Sequence, residues 1–352
     1  MDEFGVRYRQ FLKVMEENGL DGFLTSQPAN IRYLFHLDAS LAHGVTWEGE
    51  TTLLVDSRYF EAASRQAVNC RVELAARIPD PPLVESLSGG PEKQGRMGFE
   101  EDHLTYGLAK TFESKVSGKK LVPTSGLIEH LRQVKSREEL VEIRRAFKVA
   151  GAGYDATLGD LAWTGTELEL AGLLEYRLRK AGAERPAFET IVASDVRSAL
   201  PHARPTSERV DESSLLLVDF GAVVGGYHSD TTRVCVRQGS DPPDELRIVK
   251  EAQARAIAGV RPGISAGAID ALARDYIAGH GYGEYFGHSL GHGLGLAIHE
   301  LPRIQRGSSV LLEAGMVFTV EPGIYLPGRY GVRWEDAVIV TEAGCEVLRI
   351  ES

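Results

Sequence analysis

Apolar residues recur at helical spacing near the start of the chain, through Phe11, Leu12, Val14 and Met15, and a short apolar run, Gly22-Phe23-Leu24-Thr25, follows. The first pattern predicts an amphipathic helix and the second a short strand. Thr51 to Asp56 predicts another strand and Tyr59 to Val68 another helix. The stretch from Pro79 to Gly95, rich in Pro, Gly and Ser, reads as a loop, and Arg96–Glu100 and Lys120–Pro123 read as later strands. The patterning changes over residues 122–134. Ser136-Arg137-Glu138-Glu139 is a capping box opening a helix with apolar positions Leu140, Ile143, Phe147 and Ala150. Thr166-Glu167-Leu168-Glu169 repeats the box before Leu170, Leu173, Leu174 and Leu178, and further helices start near Asp244 and Ser265. Strands are expected at Glu189–Ala193, Ser214–Phe220, Thr232–Arg237, Met316–Glu321 and Val332–Thr341. The order of elements predicts a smaller α/β domain over residues 1–125, then an α+β domain over 126–352 with helices packed on a curved, mostly antiparallel sheet.

Composition narrows the function. At 352 residues, 43% hydrophobic and 25% charged, the chain is that of an ordinary globular protein of two domains. A formal charge of −11 with no basic run argues against nucleic acid or an anionic membrane as partner. Cys70, Cys235 and Cys345 are scattered and form no CxxC pair, so neither a disulfide framework nor a thiolate zinc site is expected. The polar start of the chain lacks an apolar leader and no run reaches transmembrane length, which makes the cytoplasm the expected compartment.

Candidate chemistry sits in the second half. Asp219 ends the apolar run Leu215-Leu216-Leu217-Val218, and Asp230 follows the Gly225-Gly226 turn. Taken as equidistant from that turn, the two would face each other across a hairpin, about 5 Å apart at Cβ, where like charges repel. Glu321 and Glu335 are centred in the same way on Gly328. Each acid alone reads as a common strand stop or turn entry. Four of them at the ends of apolar strands, in two pairs, call for cations between them. His288, His292 and His299 lie among glycines that let backbone and ligand approach closely. Four carboxylates balance two divalent ions, and a mostly oxygen ligand set with one imidazole suits Mn²⁺, Co²⁺ or Fe²⁺ better than a thiolate-type zinc site. Two metals sharing a water would activate it and polarise a carbonyl.

These residues resemble the metal-ligand set of the creatinase/aminopeptidase, or pita-bread, metallopeptidases, in the order Asp, Asp, His, Glu, Glu. The likeness is carried by Asp219-Phe220-Gly221, by Ser229-Asp230-Thr231-Thr232-Arg233 and by the stretches Gly291–Glu300, Phe318–Tyr325 and Gly331–Val338. Pro28–Leu34 and Asp56–Tyr59 resemble the N-terminal domain of the proline-specific branch; methionine aminopeptidases and creatinases are less similar. The resemblance implies a pita-bread catalytic domain with Asp219, Asp230, His292, Glu321 and Glu335 as ligands of two divalent ions, Mn²⁺ first and Co²⁺ or Zn²⁺ as alternatives. It implies that Asp219 or Glu335 bridges the ions, that Glu321 also shuttles a proton, and that His202 lines the substrate mouth. His288 and His299 match histidines that hold the substrate and stabilise the tetrahedral intermediate, and Arg333 one that organises the cluster.

The implied reaction is hydrolysis of the Xaa-Pro bond. Arg303 matches the arginine that receives the proline carboxylate of a dipeptide, which favours dipeptides over longer Xaa-Pro peptides cleaved by the aminopeptidases of the branch; an exposed loop arginine is the plain alternative. A non-catalytic pita-bread binding protein is a third reading, set against five retained ligands. A homodimer is implied, in which the loop from Asp38 to Glu50, bearing Trp47, reaches the partner's site. Two departures from the family pattern bear on this. Phe35-His36-Leu37 stands where Thr-Gly-Phe is usual, and Asp195 stands where Gly is usual after Ala193-Ser194.

Overall fold

The computed structural model describes residues 3–76, 80–159, 165–210, 213 and 215–350; Pro79 and Ser214, where two predicted elements begin, lie outside these. Two compact units divide between Arg132 and Gln133, after the helix Leu127–Gln133 has all but ended.

The first unit is a six-stranded mixed sheet in the order Arg71–Leu74, Glu50–Val55, Ala42–Trp47, Gly22–Thr25, Gly95–Glu100 and Lys119–Thr124. Ala42–Trp47 is antiparallel to both of its neighbours, and the other three pairs are parallel. The expected loop from Asp38 to Glu50 is largely a strand from Ala42, which turns at Glu48-Gly49, both at positive φ, into the next strand. Trp47 consequently belongs to the core of this unit. Its indole covers Gly22 and Gly95, where a Cβ on either glycine would collide with the ring, and the Lys119 ammonium lies 5.4 Å from it. A side chain so enclosed is placed for packing, not for touching substrate. Asp38 is exposed and pairs with Arg32 at 3.1 Å.

The predicted loop from Pro79 contains a helix, Pro81–Leu87. Asp80 caps it by accepting a bond from the Leu83 amide, and the two prolines occupy first-turn positions, where no amide is needed. Proline density there starts a helix instead of excluding one.

The two departures from the family's glycines are left-handed residues. His36 (φ 54°) ends the helix Pro28–Phe35 with its amide donating to the Arg32 carbonyl, and Asp195 (φ 37°) accepts a bond from the Leu215 amide at 2.9 Å. The chain keeps the backbone conformation that glycine would supply and accepts the cost of a side chain there.

In the second unit every described strand pair is antiparallel. Both capping boxes form: Ser136 with Glu139 opens Arg137–Gly159, and Thr166 with Glu169 opens Glu167–Ala181. Helices Asp244–Gly259 and Ala266–Gly279 bury Val249, Ala252, Ile269 and Ala273 in one core with Phe318, Val320, Val338 and Val340. That apolar backing fixes strands Val317–Val320 and Asp336–Val340 at the floor of the site. The single strand expected from Val332 to Thr341 is broken at Trp334-Glu335, so Tyr330–Arg333 pairs with Gly323–Leu326 and Asp336–Val340 pairs with Val317–Val320. Among the described residues no helix is long and apolar enough to cross a membrane.

Candidate metal centre

Register decides which carboxylates meet. Gly323 faces Arg333 and Val320 faces Asp336, so both flanking ladders put Glu321 opposite Glu335, as their spacing around Gly328 requires. The other hairpin differs from expectation. Its Gly225-Gly226 turn pairs Val224 with Tyr227, and the same register sets Asp219 opposite Thr232, not Asp230. Asp230 lies two residues nearer the turn. An offset of two keeps a side chain on the same face, so Asp219 and Asp230 are diagonal neighbours.

These elements bring a cluster together. Asp230, His292 and Glu335 each offer a ligand atom within 4.8 Å of the others. His292 Nε2 lies 3.5 Å from Asp230 Oδ2 and 3.4 Å from Glu321 Oε1. The His292 Nδ1 donates to the Gly293 carbonyl at 3.0 Å, which leaves the Nε2 lone pair facing the carboxylates. Burial holds this imidazole below its ordinary pKa and so neutral. Burial first, then repulsion from the neighbouring carboxylates, pushes Asp230 and Glu335 well above the usual carboxylate range, and burial raises Glu321. Asp219 Oδ1 is buried with no hydrogen-bond partner among the described residues. Several acceptors thus converge with too few donors, and a divalent cation is the group that fits them.

The surroundings hold these ligands in place. Arg333, buried at 3% exposure, donates from Nη2 to Asp219 Oδ2 (2.6 Å), from Nε to Thr232 Oγ1 (2.9 Å), and from Nη1 to Tyr325 Oη (2.8 Å) and the Pro201 carbonyl (3.1 Å). Thr232 Oγ1 in turn donates a hydrogen bond to Glu335 Oε2 at 2.7 Å. Thr319 Oγ1 accepts from the His292 amide and donates to Glu321 Oε1, both at 3.1 Å. Sequence reasoning did not single out Thr232, Thr319 or Tyr325. Correct counting about the Gly225-Gly226 turn would have found Thr232, since it is the residue opposite Asp219.

The remaining candidates lie around this cluster. His299 is exposed at its surface side, packs edge-on against His292 with ring centroids 4.3 Å apart, and is held down to about 4 by partial desolvation and by His292, His202 and Arg303 nearby. His202 is exposed and close enough to His299 to act on its charge. His288 donates from Nδ1 to the Ser289 carbonyl, and its Nε2 meets Tyr325 Oη at 3.1 Å. Since Arg333 donates to that same oxygen, the tyrosine hydroxyl is directed at His288 Nε2. Arg303 is exposed on the strand Glu300–Ile304, directly across from His292, with no hydrogen-bond or ion-pair partner among the described residues.

A buried, carboxylate-rich cluster with one neutral imidazole, built on antiparallel strands backed by helices, defines a metalloenzyme. Residues 141–342 match the model of metallopeptidase family M24, and residues 7–134 match that of the creatinase/prolidase N-terminal domain; the chain belongs to metallopeptidase family M24. It is 34% identical over 351 residues to the Xaa-Pro dipeptidase of Pyrococcus horikoshii, with 99% of this chain and 98% of that one covered. Among solved structures, an Xaa-Pro dipeptidase from Bacillus anthracis superposes with a TM-score of 0.92 at 36% identity, covering 99% of this chain and 98% of that chain. An X-Pro aminopeptidase from Thermotoga maritima superposes at 0.89 with 33% identity and 97% of each chain covered. The fold is a creatinase-like N-terminal domain followed by a pita-bread catalytic domain, and the protein is a peptidase of the prolidase type.

Proposed function

We propose that this peptidase hydrolyses the Xaa-Pro bond of dipeptides at a centre of two divalent ions, held by Asp219, Asp230, His292, Glu321 and Glu335. The observation that carries the dipeptide reading is Arg303, a cation without a partner among the described residues, on the strand residue facing His292. A dipeptide places its proline carboxylate one residue from the scissile bond, where such a guanidinium can receive it. A longer peptide has a neutral amide there and gains nothing from the charge.

When bound, divalent ions supply Lewis acidity and offset the negative charge of the carboxylates, and the oxygen-rich donor set favours Mn²⁺, with Co²⁺ or Zn²⁺ as alternatives. Asp219, Asp230, His292, Glu321 and Glu335 would hold the ions, with Asp230, His292 and Glu335 near enough to one another to share one of them. Glu321, its carboxyl raised by burial, is suited to take a proton from the attacking water and return it to the proline nitrogen, which as a tertiary amide has no proton of its own. His202 would line the substrate mouth, and His288, in contact with Tyr325, and His299 would hold the substrate. The family resemblance supports a homodimer, and three free thiols support a reducing compartment such as the cytoplasm.

Turnover of an Xaa-Pro dipeptide, its C-terminal amide and an Xaa-Pro-Yaa tripeptide, with Mn²⁺ added, tests this reading. The dipeptide is expected to be the preferred substrate, and Arg303→Ala to raise its KM by about 100-fold while changing the tripeptide by less than about threefold. Preference for the tripeptide, with indifference to the amide, would make the protein an aminopeptidase of longer peptides instead.

A further inference from the structure

Of the two acids in the first turn of the helix Glu167–Ala181, Glu169 makes the capping box, and Glu167 does something different. It is fully buried, with 0% of its side chain exposed. Its Oε1 accepts from the Ser194 amide (2.8 Å) and the Ser194 hydroxyl (2.7 Å), and its Oε2 from the Thr206 amide (3.0 Å) and the Thr206 hydroxyl (2.9 Å). The Arg197 Nε lies 3.2 and 3.0 Å from the two oxygens and supplies the compensating charge, while its Nη2 reaches the Arg204 carbonyl at 2.5 Å. One carboxylate thus closes both ends of the segment 194–206, whose outer part carries His202.

That segment is also docked at its middle. Ser198 Oγ accepts from the Gly331 amide at 2.8 Å, and the Pro201 carbonyl accepts from Arg333, the same guanidinium that binds Asp219. His202 follows directly after this contact. Strand pairing of Ser194 with Leu216, the bond from the Leu215 amide to Asp195 and that from the Leu168 amide to the Thr206 carbonyl add to these ties, and the Glu167 carboxylate is the group that bonds Ser194 and Thr206 at once.

We infer that Glu167 is a positioning residue that fixes the segment 194–206 and thereby sets His202 at the substrate mouth; its kinetic consequence rests on the role proposed above for His202. A carboxylate is required because every neighbour of Glu167 in this network donates. In Glu167→Gln one oxygen becomes an NH₂ group, which must face the donors of either Ser194 or Thr206 and loosens that end.

Hydrogen exchange and kinetics of the full-length Mn²⁺-loaded protein test this. In Glu167→Gln, amides of residues 195–206 are expected to exchange at least tenfold faster, with metal content unchanged, KM for a Leu-Pro dipeptide raised at least tenfold and kcat within twofold. The double variant with His202→Ala is expected to have the KM of His202→Ala alone, because both changes act through one side chain. Unchanged exchange over 195–206, or KM increases that multiply in the double variant, would overturn the inference. A His202→Ala variant with unaltered KM would instead dismiss the substrate-mouth reading, while the exchange rates still decide on Glu167. Should Glu167→Gln not fold, Thr206→Val removes a tie at one end and is read in the same way.

Discussion

Replacing Asp230 by Asn is expected to lower kcat/KM by about 10³-fold or more, roughly 4 kcal/mol of transition-state stabilisation, and at the same time to make the metal-free protein more stable. The two effects have one cause. Asp230 is buried beside Glu335, Asp219 and Glu321, and both burial and this repulsion raise its carboxyl well above its usual value of 3.8. With a metal bound the charge is useful; without one it opposes folding. A carboxyl raised in the folded state contributes stability that is complete below its unfolded pKa and is lost as pH rises through the folded pKa. Thermal unfolding of chelated wild type and Asp230→Asn should therefore give similar midpoints near pH 4, with the variant gaining an advantage as pH rises to 8. A wild type more stable than the variant at pH 8 without metal would show that the repulsion is absent.

Arg333→Met is expected to have the opposite sign in the metal-free protein. The guanidinium is buried and bonded to Asp219, and it also bonds to Thr232, Tyr325 and the Pro201 carbonyl. Methionine fills similar space but leaves a buried carboxylate uncompensated, a loss on the order of 3–5 kcal/mol. Activity and metal affinity should each fall about 10- to 100-fold, because Asp219 and, through Thr232, Glu335 lose their orientation. Added Mn²⁺ should recover part of the stability by binding only the folded state. Lysine in place of Arg333 cannot reach three of these oxygens in one plane and should rescue little. Urea unfolding with and without Mn²⁺ measures both effects, and a loss under about 1 kcal/mol without metal would reduce Arg333 to a packing residue.

How much of this could be read from the residues depended on what each reading required. The Glu321 and Glu335 pair needed only a mirror count about Gly328, and the ladders on both sides keep that count. Asp219 and Asp230 needed the same count about Gly225-Gly226, where their distances from the turn are unequal; the two-residue offset changed the partner to Thr232 but not the face. Helices announced by capping boxes formed where Ser136 and Thr166 placed them. Composition misled at Pro81-Pro82, since proline in a first helical turn lacks only an amide that has no partner there. It misled again at Trp47, whose enclosure depends on Gly22 and Gly95 from two other strands. Long-range contacts of that kind leave no local signal, and the same holds for Glu167, whose partners are 27 to 39 residues away. The left-handed residues His36 and Asp195 fall where the family pattern has glycine, so the sequence marked the positions without revealing that a side chain is carried there at positive φ.

The proposed activity requires that these five side chains hold two cations. Calorimetric titration of the chelated protein with Mn²⁺, with elemental analysis of the dialysed product, measures that directly. Two ions per chain are expected for the wild type and fewer than two for Asp230→Asn, with hydrolysis of an Xaa-Pro dipeptide appearing only as metal is restored. A wild-type chain that binds no ion, or that cleaves the dipeptide at full rate after chelation, would contradict it.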